Sequence, residues 1–439
     1  MYTLLIHNAR IARPDGSVFE GDLACDGDTI ARIDASLSTP ARESIDANGN
    51  LLLPGVIDPQ VHFREPGAPQ KEDIGSGSRA AVSGGVTSFL EMPNTSPPTI
   101  DQASLDDKLA RAAQSSVANY GFFIGATATN LDELNTASPA CGIKIFMGAS
   151  TGDLLVDDPD DLERIFANGE RLIAVHAESE KRIQERRALL AGRRDPAVHS
   201  EIRDNQCALA ATQLALELSD RYRRRLHILH MSTHEEVELL RAHKPPWVTA
   251  EVIPNHLFLN VADYASQGTR VQMNPPLRQP EDNATLWQGL YDGIVDFIAT
   301  DHAPHTLAEK QQPYPQSPSG MPGVETSLPL LLTQMAGGRC TLAQIQQWLC
   351  FGAATAYGIA NKGKILEGWD ADLTLVDMKA RKTVRDEDRF TRVRWSPYSG
   401  WELTGWPLYT IVGGQIAFDR GCIRDHVRGR PLQFVAQHS

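Results

Sequence analysis

Eight short apolar runs recur through the middle of the chain, and they constrain the fold more than any other feature. Each has the length of a β-strand, and helical patterns of apolar residues lie between several of them. Strands that alternate with helices are typical of parallel βα units. Eight such units predict an α/β fold of the (β/α)8, TIM-like barrel type. The runs cover residues 55–58, 87–92, 120–124, 142–146, 171–175, 226–229, 248–253 and 294–299.

The two ends of the chain have a different pattern. Apolar residues alternate over 29–33, and a similar strand-and-turn texture returns over 363–377, so we expect the ends to pair. A barrel of about 250 residues or more with one appended small domain accounts for a chain of 439 residues. The predicted units are a composite β-sandwich domain from residues 1–52 and 362–425, the barrel over 53–361, and a C-terminal tail over 426–439.

Composition indicates a protein that acts on small molecules. The formal charge of -13 argues against a general nucleic-acid or anionic-membrane surface. The six cysteines are scattered without a CxxC pair, so neither a disulfide framework nor a cysteine zinc site is indicated, and a reducing compartment fits. We found no basic leader with a long apolar stretch and no apolar run long enough to span a bilayer, so we predict a cytoplasmic protein.

Side chains able to bind metals or substrates come just past the ends of these runs. In a barrel, catalytic groups lie at the C-terminal ends of the strands. One such histidine alone is more often a core or surface residue than a ligand, so the prediction rests on the joint pattern. The residues concerned are His62, Arg64, Asn94, His176, His230, Asn255, His256, Asp301, His302 and His305.

The junction after the first run suggests a metal hydrolase. His62 offers an imidazole nitrogen to zinc, and Arg64 can bind a substrate carboxylate with two parallel hydrogen bonds. Gln60 lies two residues before His62, so both side chains share a face of the strand. A paired-histidine metal motif would place its other imidazole where Gln60 stands.

Lys144 lies inside the fourth run, between Ile143 and Ile145. A lysine in an apolar strand is costly unless it is paired or neutralised. One explanation is an ion pair with a nearby acid. The other is that a neutral amine has reacted with carbon dioxide, giving a carbamate whose two oxygens can bridge two metal ions. Asp301, which follows the apolar eighth run, can serve as a metal ligand and as a proton acceptor near a metal-bound hydroxide.

Nine motifs, in the same order from end to end, resemble those of the dihydroorotases of the amidohydrolase superfamily. The resemblance covers essentially the whole chain. The motifs are VIDPQVHFREPG, EMPNT, GIKIFMGAST, HILHMSTHEE, EVIPNHL, VQMNPPLR, IATDHAPHT, SGMPGVETSLPLLL and GKILEGWDADLTLVD.

The resemblance implies a role for each matching residue. It implies one or two zinc ions per chain and a carbamate on Lys144 that derives from carbon dioxide. Implied substrate contacts are Arg64, Asn94 and His305 for the carboxylate and Asn274 for the pocket wall, with Gly320, Pro322 and Gly323 shaping the loop after the eighth strand. The implied metal ligands are His62, Lys144, His176, His230 and Asp301.

The implied reaction is the reversible cyclisation of N-carbamoyl-L-aspartate to L-dihydroorotate in de novo pyrimidine biosynthesis. It uses a metal-activated hydroxide, with Asp301 as the proton shuttle. The chain departs from the family at Gln60, where dihydroorotases usually have His-x-His, and at Asn255, where many relatives have histidine. An amide oxygen is a weaker zinc ligand than imidazole, so the departure at Gln60 predicts a weaker second metal position.

Two other functions stay open at this point. One is a hydantoinase, dihydropyrimidinase or allantoinase, although Arg64 and Asn94 favour a substrate that bears a carboxylate. The other is a catalytically silent dihydroorotase-like partner of aspartate transcarbamoylase, which only Gln60 supports. The resemblance also leaves open a homodimer and association with other enzymes of pyrimidine synthesis.

Overall fold

The computed structural model describes residues 1–149 and 154–435, and it contains strands at all eight apolar runs. The predicted α/β barrel is therefore confirmed. The strands are β1 Tyr2–Ala12, β2 Val18–Asp26, β3 Thr29–Asp34, β4 Ala41–Asp46, β5 Leu51–Pro54, β6 Val56–Val61, β7 Val86–Glu91, β8 Asn119–Phe122, β9 Ile124–Gly125, β10 Ile143–Phe146, β11 Ile173–His176, β12 Leu226–Ile228, β13 Val248–Val252, β14 Phe297–Ile298, β15 Leu373–Thr383, β16 Glu402–Val412, β17 Gln415–Asp419 and β18 Cys422–Ile423.

Helices connect these strands, and most of the charged stretch at 177–225 is helical. The α-helices are α1 Ile74–Ser83, α2 Gln102–Ser115, α3 Leu131–Thr136, α4 Pro159–Ala167, α5 Glu180–Leu189, α6 Val198–Ile202, α7 Asn205–Tyr222, α8 His234–His243, α9 Pro254–Phe258, α10 Tyr264–Gln267, α11 Pro280–Tyr291, α12 Leu307–Lys310, α13 Ser327–Ala336, α14 Leu342–Gln346 and α15 Gly352–Tyr357. Short 3₁₀ helices cover Val261–Asp263, Gly268–Val271 and Asp386–Asp388, and a π-helix covers Gln347–Phe351.

The barrel is built from two parallel sheets, β6-β7-β8 and β9 to β14. Phe123 interrupts the third strand and separates β8 from β9. The barrel closes between its last and first strands, where Val61 and His302 form a parallel bridge and the backbone N–H of His62 donates to the carbonyl of His302 at 2.8 Å. This closure brings the tips of the first and eighth strands together.

The two ends of the chain meet in one nine-stranded sheet, in the order β18-β17-β16-β15-β5-β1-β2-β3, with β4 paired to β1. β5 joins the halves, because it pairs with β1 on one side and with β15 on the other. Further along, Leu432 is buried, and its N–H donates to the carbonyl of Tyr120 at 2.8 Å, so the residues after β18 pack against the barrel.

In the described part of the chain, no helix combines the length and apolar character needed to cross a membrane.

Side-chain caps set where barrel helices begin. The Thr233 hydroxyl accepts a hydrogen bond from the N–H of Glu236, and the Glu236 carboxylate accepts from the N–H of Thr233. This reciprocal capping satisfies two backbone donors that the first helical turn leaves unpaired. It starts α8 four residues after His230, and so fixes the turn that follows the sixth barrel strand.

Candidate active site

A cavity lies at the carboxyl ends of the barrel strands. All the implied metal ligands and substrate contacts line it except His305, which contacts Arg64 instead. The shared position follows from the parallel strands, whose carboxyl ends all meet at one rim. The lining residues are Gln60, His62, Arg64, Asn94, Lys144, Phe146, His176, His230, Asn274, Asp301, Ala303, Ser319 and Gly320.

His62 is oriented by Asn94. Its Nδ1 lies 2.8 Å from the side-chain oxygen of Asn94, an acceptor, so Nδ1 carries the proton. Burial lowers the pKa of His62, although Asp301 opposes the shift, and the other ring nitrogen is Nε2. That nitrogen lies 3.1 Å from a carboxylate oxygen of Asp301. Imidazole nitrogen and carboxylate oxygen are both zinc ligands, so the pair could share a proton or bind one metal ion together.

His176 is oriented by Glu178 in a similar way. Its Nε2 lies 2.9 Å from the Glu178 carboxylate, which also accepts a hydrogen bond from Arg203. Although burial opposes it, the charges of Arg203 and His176 lower the pKa of Glu178 to about 2. The proton of His176 therefore lies on Nε2, and Nδ1 faces Nε2 of His230 at 3.0 Å. A carboxylate behind a histidine is the usual support of a metal-binding imidazole.

Lys144 lines the same cavity as these histidines. Its side chain is buried, and Nζ lies 4.5 Å from the centre of the Phe146 ring. No salt bridge joins it to a carboxylate among the described residues, so the ion-pair explanation has no direct partner. Burial lowers the pKa of Lys144 to about 7, although Asp301 and Glu251 oppose the shift. A large share of its amine is therefore neutral near pH 7, and the neutral amine is the form that reacts with carbon dioxide.

Arg64 forms the positive side of the cavity. Its guanidinium is buried, donates from Nε to the carbonyl of Pro304 at 3.3 Å, and makes no salt bridge with a carboxylate of residues 1–149 or 154–435. Burial lowers the pKa of Arg64 to about 10, so the group stays charged at neutral pH. A buried, charged guanidinium without a carboxylate partner is costly unless a ligand supplies one.

His305 extends this positive side. Lys71 donates to its Nδ1 at 3.0 Å, so the single proton lies on Nε2, which is 3.0 Å from the carbonyl of Ser319 and 3.3 Å from Nη2 of Arg64. Burial, followed by the charges of Arg64 and Lys71, holds the pKa of His305 well below its usual range. The neutral ring therefore presents its one N–H, and no acceptor, on the side of Arg64 and Ser319.

Three site residues have left-handed backbone conformations although none is glycine. The φ angles are 56° at Arg64, 37° at His230 and 47° at Asp301. Each costs of order 1–3 kcal/mol, and such strain concentrates at functional sites. Asp58 helps to hold Asp301, because its carboxylate accepts from the N–H of Thr300 at 3.1 Å and from the Thr300 hydroxyl at 2.5 Å.

Several metal-capable residues lie elsewhere. His256 contacts the carbonyl of Pro275 at 3.1 Å, Asn255 accepts from the hydroxyl of Tyr398 at 2.7 Å, and Nδ1 of His302 accepts from the backbone of the 323–324 turn. A separate group of His234, Glu235 and Asp282 could hold an ion by distance, but His234 is exposed. There the Asp282 carboxylate accepts hydrogen bonds from the backbone N–H and Nδ1 of His234, a local capping role.

Sequence reasoning missed the residues that orient the site, namely Asp58, Glu178, Arg203 and Lys71. Asp58 lies two residues before Gln60, and Glu178 lies two residues after the predicted ligand His176. A polar residue this close to a predicted site position is the sequence signal that could have indicated them. Arg203 and Lys71 come from distant segments, and no pattern in the sequence links them to the cavity.

Comparison with known proteins gives one consistent family. A model described as "Amidohydrolase family" matches residues 51–417. The dihydroorotase of Methanosarcina mazei is 38% identical over 387 residues, covering 85% of this chain and 84% of the relative. The dihydroorotase of Methanothermobacter thermautotrophicus is 34% identical over 446 residues, covering 100% and 98%.

Solved structures of related enzymes have the same fold. An L-hydantoinase (dihydropyrimidinase) from Arthrobacter aurescens matches with a TM-score of 0.92 and 30% identity, covering 96% of this chain and 97% of that one. A dihydropyrimidinase from Brevibacillus agri matches with a TM-score of 0.91 and 25% identity over 100% of both chains.

Proposed function

Because this chain belongs to the amidohydrolase family, we propose that it is a dihydroorotase, a cyclic amidohydrolase that interconverts N-carbamoyl-L-aspartate and L-dihydroorotate in pyrimidine synthesis. The observation that carries the proposal is Arg64, a buried guanidinium that lines the cavity and has no carboxylate partner among the described residues. A substrate carboxylate would supply that partner with a bidentate hydrogen-bonded pair.

The same observation separates this proposal from the hydantoinases. Hydantoin and allantoin have no carboxylate, whereas dihydroorotate carries one on its ring. A hydantoinase would therefore bury the charge of Arg64 without a matching anion, at the cost of several kcal/mol that attends a buried unpaired ion. The sequence relatives quoted above are dihydroorotases, which agrees with this reasoning.

The donors in the cavity fit zinc. Zinc prefers imidazole nitrogen and carboxylate oxygen, which are the atoms that face one another at His62 and Asp301 and at His176 and His230. We propose one or two zinc ions held by these four residues, with Lys144 as a carbamate between them. When bound, the metal activates water as a nucleophile and polarises the amide carbonyl that is cleaved.

The chain's own residues then orient the substrate and move a proton. Arg64 and Asn94 hold the carboxylate, with His305 beside Arg64 on the same side, so the ring amide is positioned near the metal donors. Asp301 accepts a proton from the nucleophile and passes it to the leaving ring nitrogen. The Asp58–Thr300 hydrogen bonds keep Asp301 in place for both transfers.

The domain division also remains a proposal. We propose a composite β-sandwich domain of residues 1–52 and 362–425 beside a barrel of residues 53–361, followed by the tail. The pairing of β5 with both β1 and β15 supports one composite unit from the two ends of the chain, and the proposed boundary falls within β5. We further propose a cytoplasmic enzyme, because the scattered cysteines that the structure describes are all free.

The proposal is tested by measuring hydrolysis of dihydroorotate, hydantoin and allantoin, with zinc content determined on the same purified sample. We expect dihydroorotate hydrolysis with at least one zinc ion per chain. Faster hydrolysis of hydantoin or allantoin would replace the proposal by the hydantoinase alternative. A protein that neither binds zinc nor hydrolyses any of the three would support the catalytically silent alternative.

A further inference from the structure

We propose that His199 is a positioning residue that fixes the side-chain amide of Asn274, so that Asn274 donates a hydrogen bond to an oxygen atom of the substrate. His199 lies on α6, in the helical stretch between β11 and β12, and its ring is buried. Asn274 lines the cavity. The inference rests on the proposed function and adds a residue that neither the motifs nor the lining of the cavity includes.

The first step is the position of the proton on His199. Its Nε2 lies 3.1 Å from the backbone carbonyl of Met273, which can only accept a hydrogen bond. Burial, followed by the charge of Arg203, lowers the pKa of His199 to about 4. The ring is therefore neutral at physiological pH, and its one proton lies on Nε2.

The second step is the orientation of the amide. The same Nε2 lies 2.8 Å from the side-chain oxygen of Asn274, and a protonated nitrogen can only donate to it. The oxygen of Asn274 therefore faces His199, and its NH₂ group lies on the opposite side of the planar amide. With the oxygen occupied, Asn274 offers the cavity donors and no acceptor.

The third step is the rigidity of the cavity wall around Asn274. The His199 ring packs edge-on against Tyr314, with the ring centres 5.7 Å apart. Ser319, also on the cavity wall, accepts from the side chain of Gln272 at 3.3 Å, and its hydroxyl lies 3.4 Å from Nε2 of His199. The amide of Asn274 is thus held by a neighbour that is itself fixed, which is what a precise binding site requires.

The consequence is selection for oxygen on the substrate. Carboxylate, ureido and ring carbonyl oxygens can all accept from the NH₂ of Asn274. Without His199 the amide can rotate by half a turn and present its own oxygen, which repels a substrate oxygen. Loss of His199 should therefore weaken substrate use through Asn274, while the metal donors on the other strands stay in place.

The test is a double-mutant cycle of His199→Leu, Asn274→Ala and the double variant, with kcat/KM, zinc content and Tm measured for each. We expect His199→Leu to lower kcat/KM roughly tenfold, the effect of losing one oriented hydrogen bond. We expect the double variant to lie within about twofold of Asn274→Ala, because the two residues act as one unit. His199→Gln, which keeps an N–H donor, should recover part of the loss.

His256→Leu is the matched control. His256 is also buried and also contacts a backbone carbonyl of the same segment, Pro275, but it is not among the described residues that line the cavity. We expect it to lower Tm as His199→Leu does, while kcat/KM changes by less than about twofold. Zinc content should be unchanged in both variants.

Independent, multiplicative effects of His199→Leu and Asn274→Ala would overturn the inference, as would full activity of His199→Leu. The cycle uses whichever of dihydroorotate, hydantoin and allantoin the natural protein hydrolyses. A natural protein that prefers hydantoin therefore overturns the proposed function while the cycle still decides the role of His199. A natural protein that hydrolyses none of the three overturns both.

Discussion

Replacing Gln60 with histidine should increase the number of zinc ions that each chain holds. Gln60 lies on β6 two residues before His62, and both side chains line the cavity. Its amide nitrogen donates to Asp301 at 3.2 Å, while its buried oxygen has no hydrogen-bond partner among the described residues. An imidazole at this position would offer zinc a better donor than that amide oxygen.

The size of the gain in zinc affinity follows from the imidazole ligand that position 60 lacks. Loss of a residue that merely supports a metal ligand typically costs 10–100-fold in affinity, so gain of a direct ligand should tighten the second zinc ion by at least about that much. The substitution also removes a buried unpaired oxygen, which costs roughly 1–3 kcal/mol. We therefore expect Gln60→His to fold normally, although it loses the hydrogen bond to Asp301.

The assay is zinc per chain by elemental analysis, after metal removal and stepwise return of zinc to both proteins. The natural protein should saturate near one ion, held at Lys144, His176 and His230, and Gln60→His should approach two. Asn255→His is the control: it restores the other histidine of the family pattern, but at a residue that is hydrogen-bonded to Tyr398. Its zinc content should match the natural protein. Two tightly held ions in the natural protein, unchanged by Gln60→His, would refute this reasoning.

Three further substitutions test the remaining assignments. Arg64→Lys should lower kcat/KM for dihydroorotate while zinc content stays intact, because an ammonium cannot form the bidentate pair. The expected loss of transition-state binding is about 1.5–3 kcal/mol. An unchanged kcat/KM contradicts the carboxylate assignment. Lys144→Ala should lower zinc content and activity together, and added short carboxylic acids should partly restore both by supplying bridging oxygens. An ordinary ammonium at Lys144 in a crystal of the zinc-bound, fully active enzyme would refute the carbamate. Glu178→Gln should weaken zinc binding roughly 10–100-fold, because His176 loses its carboxylate support; equal zinc affinity in titrations of both proteins would exclude that role.

The barrel and the main members of the cavity could be predicted from sequence, because both depend on local pattern. Apolar runs of strand length define the strands, and parallel strands bring every residue just past their ends to one rim. Just past the eighth strand, Asp301 lines the cavity while its neighbour His302 hydrogen-bonds to the 323–324 turn. Positions just past a strand therefore gave both candidates that line the cavity and candidates that do not.

The residues that orient the cavity could not be predicted in this way. Arg203 reaches Glu178, and His199 reaches Asn274, only because the stretch between β11 and β12 folds back over the rim. Lys71 similarly reaches His305 from a segment more than two hundred residues earlier in the chain. Such contacts depend on the tertiary packing of long connections, for which a single sequence contains no periodic pattern.

The orientation of the histidines also argues against a catalytically silent barrel. His62 and His176 each have one nitrogen bound to a supporting side chain, and each turns its other nitrogen to a second residue that lines the cavity. His230 adds a strained backbone and an Nδ1 without a hydrogen-bond partner in the described structure. A purely structural protein gains nothing from buried imidazoles oriented around a cavity, since apolar side chains would stabilise the same position better. Gln60 is therefore better explained as a change in the number of metal ions than as a loss of the metal site.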